Sequence, residues 1–385
     1  MKRFYIACAA LFFVTQLHAE PAQLKPLKVE SIKFVEKTGN SDSVGDVVLP
    51  FVSSTQPKIA KKINDYLFIT IASTLAPSKA GDGIKRNFSK EDDDPMAGVS
   101  SLNYKVVLND GKLLTLHTQG EFCAAYCEGF SSNYSFDTVT GRHITLQDLL
   151  TESGIQALKQ KVYAARVATM QQTIKRSQKQ SLKKTVKHKK TNDDDEFEHD
   201  AEDEILLYQT CLTENAETHK DEMKSGDLHE LDYFSIDANS VSFTHERCSN
   251  HAARALDQID EFKNSYTFQS LKPFLTPYAR YLLLSVKGPF KVPTGISEQV
   301  FYGNIGPSKI TFLVKPAQGY DRMLRAVYFY DKYRQPIELS GTGSTWTEIN
   351  STNKPQPEIK ANWQADTLSG QWQGDGKTLS FKITP

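Results

Sequence analysis

Apolar residues recur along this chain with two different periods, and the changes of period mark its parts. Over 28–35 and 45–52 they fall at alternate positions for part of each run, which predicts two short strands. From Ile59 the period becomes four. Ile59, Ile63, Leu67, Ile71 and Leu75, with Tyr66 beside them, predict a helix whose single apolar stripe faces a sheet. Ser54 or Thr55 is placed to cap it, Pro57 suits a first turn that needs no amide hydrogen, and Pro77 ends it. The polar, glycine-containing stretch 78–98 reads as a long exposed loop.

Alternation returns at Tyr104, Val106 and Leu108, breaks at Asn109-Asp110-Gly111, and resumes at Leu114 and Leu116, the pattern of a hairpin. A further strand over 133–138 turns at Thr140-Gly141. It leads through Ile144-Thr145-Leu146 to a helix carrying Ala157, Leu158, Val162, Ala165 and Val167. Beyond Met170 a lysine-rich run precedes an aspartate- and glutamate-rich one. This composition predicts a charged, disordered insertion at about 173–204 whose halves attract each other; an electrostatic arm toward phosphate or an anionic surface is the functional alternative. Next come a helix over 205–214, a hairpin over 233–243 turning at Asp237-Ala238-Asn239, a strand at 266–268 and a helical segment over 271–284. From Gly288 short runs at 300–302, 310–314, 326–330, 337–339, 345–349, 359–363, 368–372 and 379–383 predict a small antiparallel barrel or sandwich. The fold class is therefore α+β: an antiparallel sheet with packed helices, then an all-β domain. The divisions fall at 20–100 (a strand pair and helix that co-fold with the adjoining domain), 101–285 and 288–385.

The first residues add a compartment. Lys2 and Arg3, an apolar run over 4–14 and Leu17-His18-Ala19 form a signal peptide over 1–19, which makes the protein exported, periplasmic or extracellular. The run is about half the ~20 residues that an anchoring helix needs, and no transmembrane anchor is expected once it is cut. Losing Lys2 and Arg3 from the 46 basic residues leaves 44 against 46 acids, a net charge of −2 that points away from nucleic acid. About 366 mature residues exceed what one core supports, so two or more domains are expected. Cys123, Cys127, Cys211 and Cys248 survive export, and an even count there favours two disulfides. Of the three pairings, Cys123 with Cys127 and Cys211 with Cys248 is preferred. A zinc site using the Cys123/Cys127 spacing and the histidines at 245 and 251 is the weaker reading, because Cys211 stands far from Cys248. Neither a metal nor a cofactor is called for.

Catalytic signatures are missing. The chain has no Gly-x-Ser-x-Gly elbow, no His-Glu-x-x-His helix and no phosphate-cradling glycine loop, and no histidine or cysteine occurs after position 251. Glu338, Glu348, Glu358 and Asp366 are the carboxylates that a glycosidase-like pair in the β domain would draw on. Tyr328, Tyr330, Trp346, Trp363 and Trp372 are the ligand-binding candidates, since sugar rings stack on exposed aromatic faces.

The segment 101–150, read with 232–275, resembles a bacterial extracytoplasmic family, DUF3298. The residues that carry the resemblance are Phe136-Asp137, the Thr140-Gly141 turn and Ile144-Thr145-Leu146-x-Asp148-Leu149, with the later hairpin and Leu271-Lys272-Pro273-Phe274-Leu275. Residues 28–77, with Ile63-Asn64 at their centre, resemble the DUF4163-type segment that commonly precedes it. The same family forms the external part of a lysozyme-sensing anti-sigma factor and the accessory part of a peptidoglycan deacetylase. The resemblance implies a non-catalytic envelope protein that recognises a cell-wall component, such as peptidoglycan, or a lysozyme-like protein. The alternatives are a structural envelope protein acting through its β domain and a hydrolase of envelope polymer. Family members commonly carry a Gly-Gly-Ala-His or Gly-Gly-Ala-Tyr loop where this chain has Cys123-Ala124-Ala125-Tyr126-Cys127, so no ligand-binding residue carries over.

Overall fold

A computed structural model describes residues 25–34, 46–82, 84, 96–188, 196–225, 231, 233–250, 252–315, 324–342, 344–349 and 355–385. The signal peptide expected over 1–19 lies outside these. The first sheet has the order β1 (Lys28–Phe34), β2 (Asp46–Ser53), β3 (Val99–Asn109), β4 (Leu113–Cys123), β5 (Cys127–Asp137), antiparallel except where β2 meets β3. A second sheet has the order β6 (Phe234–Ile236), β7 (Ser240–Glu246), β8 (Glu261–Thr267). β9 (Gln299–Ile305), β10 (Ser308–Lys315), β11 (Leu324–Tyr330), β12 (Pro336–Thr342), β13 (Thr345–Glu348), β14 (Glu358–Gln364), β15 (Thr367–Gly374) and β16 (Lys377–Thr384) form a closed antiparallel barrel. Of the two β architectures open in the sequence it is the barrel, because β16 pairs back on β9 from Phe381↔Ile305 to Thr384↔Tyr302. Phe312, Tyr328, Leu339, Trp346 and Phe381 fill it, while Lys360, Gln371 and Lys382 stand outside in water.

Helix α1 (Pro57–Ala72) joins sheet to barrel. Ile63 and Leu67 are fully buried, as the four-residue period predicts, but so are Phe68 and Ile69. The expected single stripe is two-sided because Val300, Leu313, Val327 and Phe329 on the outer wall of the barrel close over the helix and join the same core. Burying each such side chain contributes about 1.5–3 kcal/mol. Polar contacts fix the register of this junction. Asp65 accepts hydrogen bonds from Lys61, from the Tyr302 hydroxyl (3.0 Å) and from the Ala76 amide (3.3 Å), and Arg334 donates to the Leu75 and Ala76 carbonyls. The ends of α1 differ from expectation. Gln56 is its N-cap and makes no side-chain cap, so neither Ser54 nor Thr55 serves. Ser73, in the left-handed conformation at φ 43°, ends the helix before Pro77 is reached.

The family-like motif is a local device for turning strand into helix. Phe136 is fully buried, and Asp137 accepts from the Val139 amide (2.7 Å) and the Tyr278 hydroxyl (2.7 Å). Gly141 takes φ 70°, and a Cβ there would lie 3.1 Å from the Ile59 carbonyl. Thr145 and Asp148 form a capping box on the short helix α2 (Leu146–Leu149). Arg142 grips Asp148 through two bonds of 3.1 and 2.9 Å, and its other arm reaches the Gly295 carbonyl (2.9 Å) ahead of the barrel.

The insertion expected to be disordered at about 173–204 is helical over its described residues. α3 (Glu152–His188) and α4 (Glu196–Ser225) pack side by side. Met170, Ile174, Tyr208 and Cys211 supply an apolar seam that the charge runs masked, Ser177 donates to Glu204 (2.7 Å), and Tyr163 stacks on His219 (3.9 Å). The single helical segment expected over 271–284 is two, α5 (Phe268–Leu271) and α6 (Pro277–Leu284). Thr276 caps the second, and Pro277 at its first turn cannot continue the first.

Candidate functional site

A cleft of ≈ 1290 Å³ opens where the two sheets, α1 and the barrel meet. One wall is α1, through Tyr66, Ile69, Thr70 and Ser73; a second is the barrel, through Glu298 and 313–315; a third is the small sheet, through 233–235 and 244–247. The fourth is β5, seven consecutive residues of which, from Glu128 to Tyr134, line the cleft. Side chains of a strand alternate between its faces, so seven in a row reach one cleft only if the backbone edge borders it. β5 is the outer strand of its sheet, which supplies that edge.

His143 forms the floor. Its ring stacks on Tyr66 (centroids 4.2 Å apart, 16° between planes) and meets Phe136 edge-on (5.5 Å). Its Nδ1 is buried without a hydrogen-bond partner, 3.8 Å from Glu298 Oε1. Burial, reinforced by the neighbouring Arg142 charge, pushes its pKa down to about 3, so the ring is neutral near pH 7 and the contact with Glu298 is no ion pair. The Tyr66 hydroxyl donates to Glu298 (3.3 Å); burial and that carboxylate raise its pKa well above the usual value. Glu298 is held in the left-handed region at φ 56°, a backbone cost that recurs at ligand sites. Higher in the cleft His117 Nδ1 and Asn133 Oδ1 are 3.0 Å apart, and Arg247 spans to Glu128 at 3.7 Å. A neutral imidazole with so low a pKa is a poor proton acceptor at neutral pH. The arrangement of hydroxyls, amides, rings and charges of both signs suits holding a ligand by hydrogen bonds.

The cysteines lie as preferred from the sequence, Cys123 bonded to Cys127 and Cys211 to Cys248. The first pins the tip of the β4–β5 hairpin; the second ties α4 to the chain just past β7. Glu121, Cys123 and Cys127 cluster closely enough to ligate an ion, but both sulfurs are spent in the disulfide and offer no thiolate. Of the five aromatic candidates, three are buried and Tyr330 and Trp363 are half-buried. Tyr328, Trp346 and Trp372 are 0%, 1% and 8% exposed. Trp363 packs on Phe301 (5.1 Å) and Tyr330 on Tyr328 (5.5 Å). Their positions in the barrel strands turn them inward, and Tyr328 (2.6 Å) and Trp372 (2.9 Å) donate to Glu348. They hold the barrel together and form no solvent-facing row. The carboxylates also have separate occupations: Glu338 pairs with Lys315 (2.8 Å), Glu358 with Lys360 (3.0 Å), and the inward Glu348 and outward Glu358 lie on opposite faces.

The cleft leaves no pattern in the amino-acid sequence. Its floor joins residues 66, 143 and 298, whose spacing carries no signal. The one available hint was a histidine between Arg142 and Ile144, inside a motif that otherwise turns strand into helix.

No family model and no curated protein matches the chain. Solved structures similar to it include two with a TM-score of 0.37 each. One is a DUF3298 family protein from Pseudomonas aeruginosa PAO1, 10% identical, the alignment covering 67% of this chain and 98% of that one. The other is a member of the same family from Bacteroides fragilis NCTC 9343, 13% identical, covering 66% and 96%. Both are proteins of the family that residues 101–150 resemble.

Proposed function

We propose that this is an exported, non-catalytic recognition protein of the bacterial envelope, which holds a cell-wall component or a lysozyme-like protein in the cleft between its sheets. The observation that carries the reading is the cleft, large enough for a ligand of several residues and walled by Ser131, Ser132, Asn133 and Thr244 beside the half-exposed Tyr233. Hydroxyls and amides around an accessible ring suit a polar, extended ligand. Two disulfides favour an oxidising compartment, and no described helix is long and apolar enough to cross a membrane.

The test is retention of the purified mature protein on insoluble peptidoglycan and, separately, on immobilised lysozyme. Binding to one of them, weakened by the double change Asn133→Ala and Tyr233→Ala with the melting temperature held, is the expected result. Retention on neither removes the reading.

A further inference from the structure

Among the described residues, the cleft-facing edge of β5 is an unfilled strand position. The segment after the Thr140-Gly141 turn already pairs with the outer side of β5: the Ile144 amide donates to the Ser135 carbonyl (2.7 Å), and the Asp137 amide donates to the Arg142 carbonyl (2.9 Å). Residues 135 and 137 therefore point their backbone groups away from β4. The β4–β5 register runs without a shift from Leu113↔Asp137 to Cys123↔Cys127, so Gly129, Ser131 and Asn133 point theirs the same way. Ser132 faces the other way, its carbonyl accepting from Thr118 on β4 (3.3 Å). The outward N–H and C=O groups of Gly129, Ser131 and Asn133 have no partner among the described residues, and all three residues line the cleft. Proteins commonly blunt such an edge with lysine, proline or a bulge. Residues 127–133, Cys-Glu-Gly-Phe-Ser-Ser-Asn, contain none of these.

We propose that the cleft binds an extended polypeptide segment that adds to β5 as a further antiparallel strand, continuing upward the line that residues 142–144 begin. This rests on the reading that the cleft is the binding site, and names its ligand class. The two sides of the edge decide the side chains. On the α1 side an incoming strand meets Tyr66, Ile69, Phe130, Tyr134 and Leu313; on the other it meets Lys105, His117, Asn133, Asp237 and Lys263. The segment alternates apolar and polar residues accordingly. Its length is limited by His143 below and by the Arg247–Glu128 contact at the outer end, which leaves five residues of β5, about 17 Å of strand. Phe130 is seated for this role. It crosses to Gly120, where a Cβ would lie 2.6 Å from its ring, and so lies flat against the sheet, clear of the space above.

The probe is a synthetic octapeptide library with valine or phenylalanine alternating with threonine, glutamate and lysine, read by fluorescence anisotropy, with amide exchange monitored on the protein. A library member that binds is expected to slow exchange at Gly129, Ser131 and Asn133, and not at the already bonded even-numbered residues. Ser131→Pro removes one outward donor while sparing the β4 ladder, and weakens binding about tenfold. Ser131→Ala changes it less than about twofold. Equal binding to Ser131→Pro, unchanged exchange at the three amides, or a library with no binder overturns the proposal. The exchange result needs no variant to fold. Retention on peptidoglycan or lysozyme that survives Ser131→Pro sinks the added strand and leaves the recognition reading standing. Peptide binding at the edge with retention on neither does the reverse.

Discussion

The barrel and the five-stranded sheet handle the same problem in opposite ways. A strand carries backbone donors and acceptors on both sides. The barrel consumes all of them by pairing β16 with β9, and the sheet stops at β5 with part of its edge in a cleft. The barrel interior is packed with rings, Phe312 meeting Trp346 at 5.9 Å and Phe381 at 6.2 Å. Closure suits a scaffold and an open edge suits recognition. The aromatic residues that looked like a binding surface pack into the barrel, and the proposed binding surface is built largely from backbone, serine and asparagine.

The largest expected effect falls on the barrel. Trp346→Ala should cost about 3–5 kcal/mol, read as a lowered urea midpoint. Because α1 shares one core with sheet and barrel, both should lose structure in a single transition; separate melts of the two would break the picture of a continuous core. Next is His143 at the cleft floor. Its pKa of about 3 in the folded protein is below the ~6.5 of an unfolded chain, so its contribution is complete above about pH 6.5 and is lost as pH falls toward 3. Between pH 6.5 and 4.5 it should remove about 2–3 kcal/mol, a slope that His143→Phe, which keeps the stack on Tyr66, should flatten. Parallel slopes for the two proteins would contradict a buried neutral ring. A smaller change is expected at the junction: Tyr302→Phe deletes one hydrogen bond to Asp65 and should cost about 1 kcal/mol by calorimetry. The smallest stability effect belongs to the cleft wall, where Asn133→Ala should stay within about 0.5 kcal/mol while reducing ligand retention. A large loss of stability there would mean that the wall is structural.

Much of the scaffold was legible because its signals are local. The short strands after Gly288 show in alternation and turn residues. The preferred disulfide pairing, Cys123 with Cys127 and Cys211 with Cys248, is the observed one. What was not legible depended on residues far apart. Whether the β domain closes depends on Phe381 meeting Ile305, and whether Trp346 is inside depends on closure. The helices over the charged insertion rest on Tyr208 meeting Met170 and on a hydrogen bond from its hydroxyl to Asp257 (2.6 Å), none of which composition records. The cleft is the extreme case, since its most distinctive chemistry is backbone, which every residue carries.

The helix pair is also tied covalently close to the cleft. At about 1.5 Å per residue, α3 runs roughly 27 Å beyond Met170 to His188. Near Met170 the pair is welded to the small sheet, by the bond from Cys211 to Cys248 and by the Cys248 sulfur lying 3.6 Å from that of Met170. Cys248 comes directly after Arg247, and Arg247 reaches across the cleft to Glu128. The disulfide to Cys248 therefore places α4 one residue along the chain from the side chain that spans the mouth of the cleft.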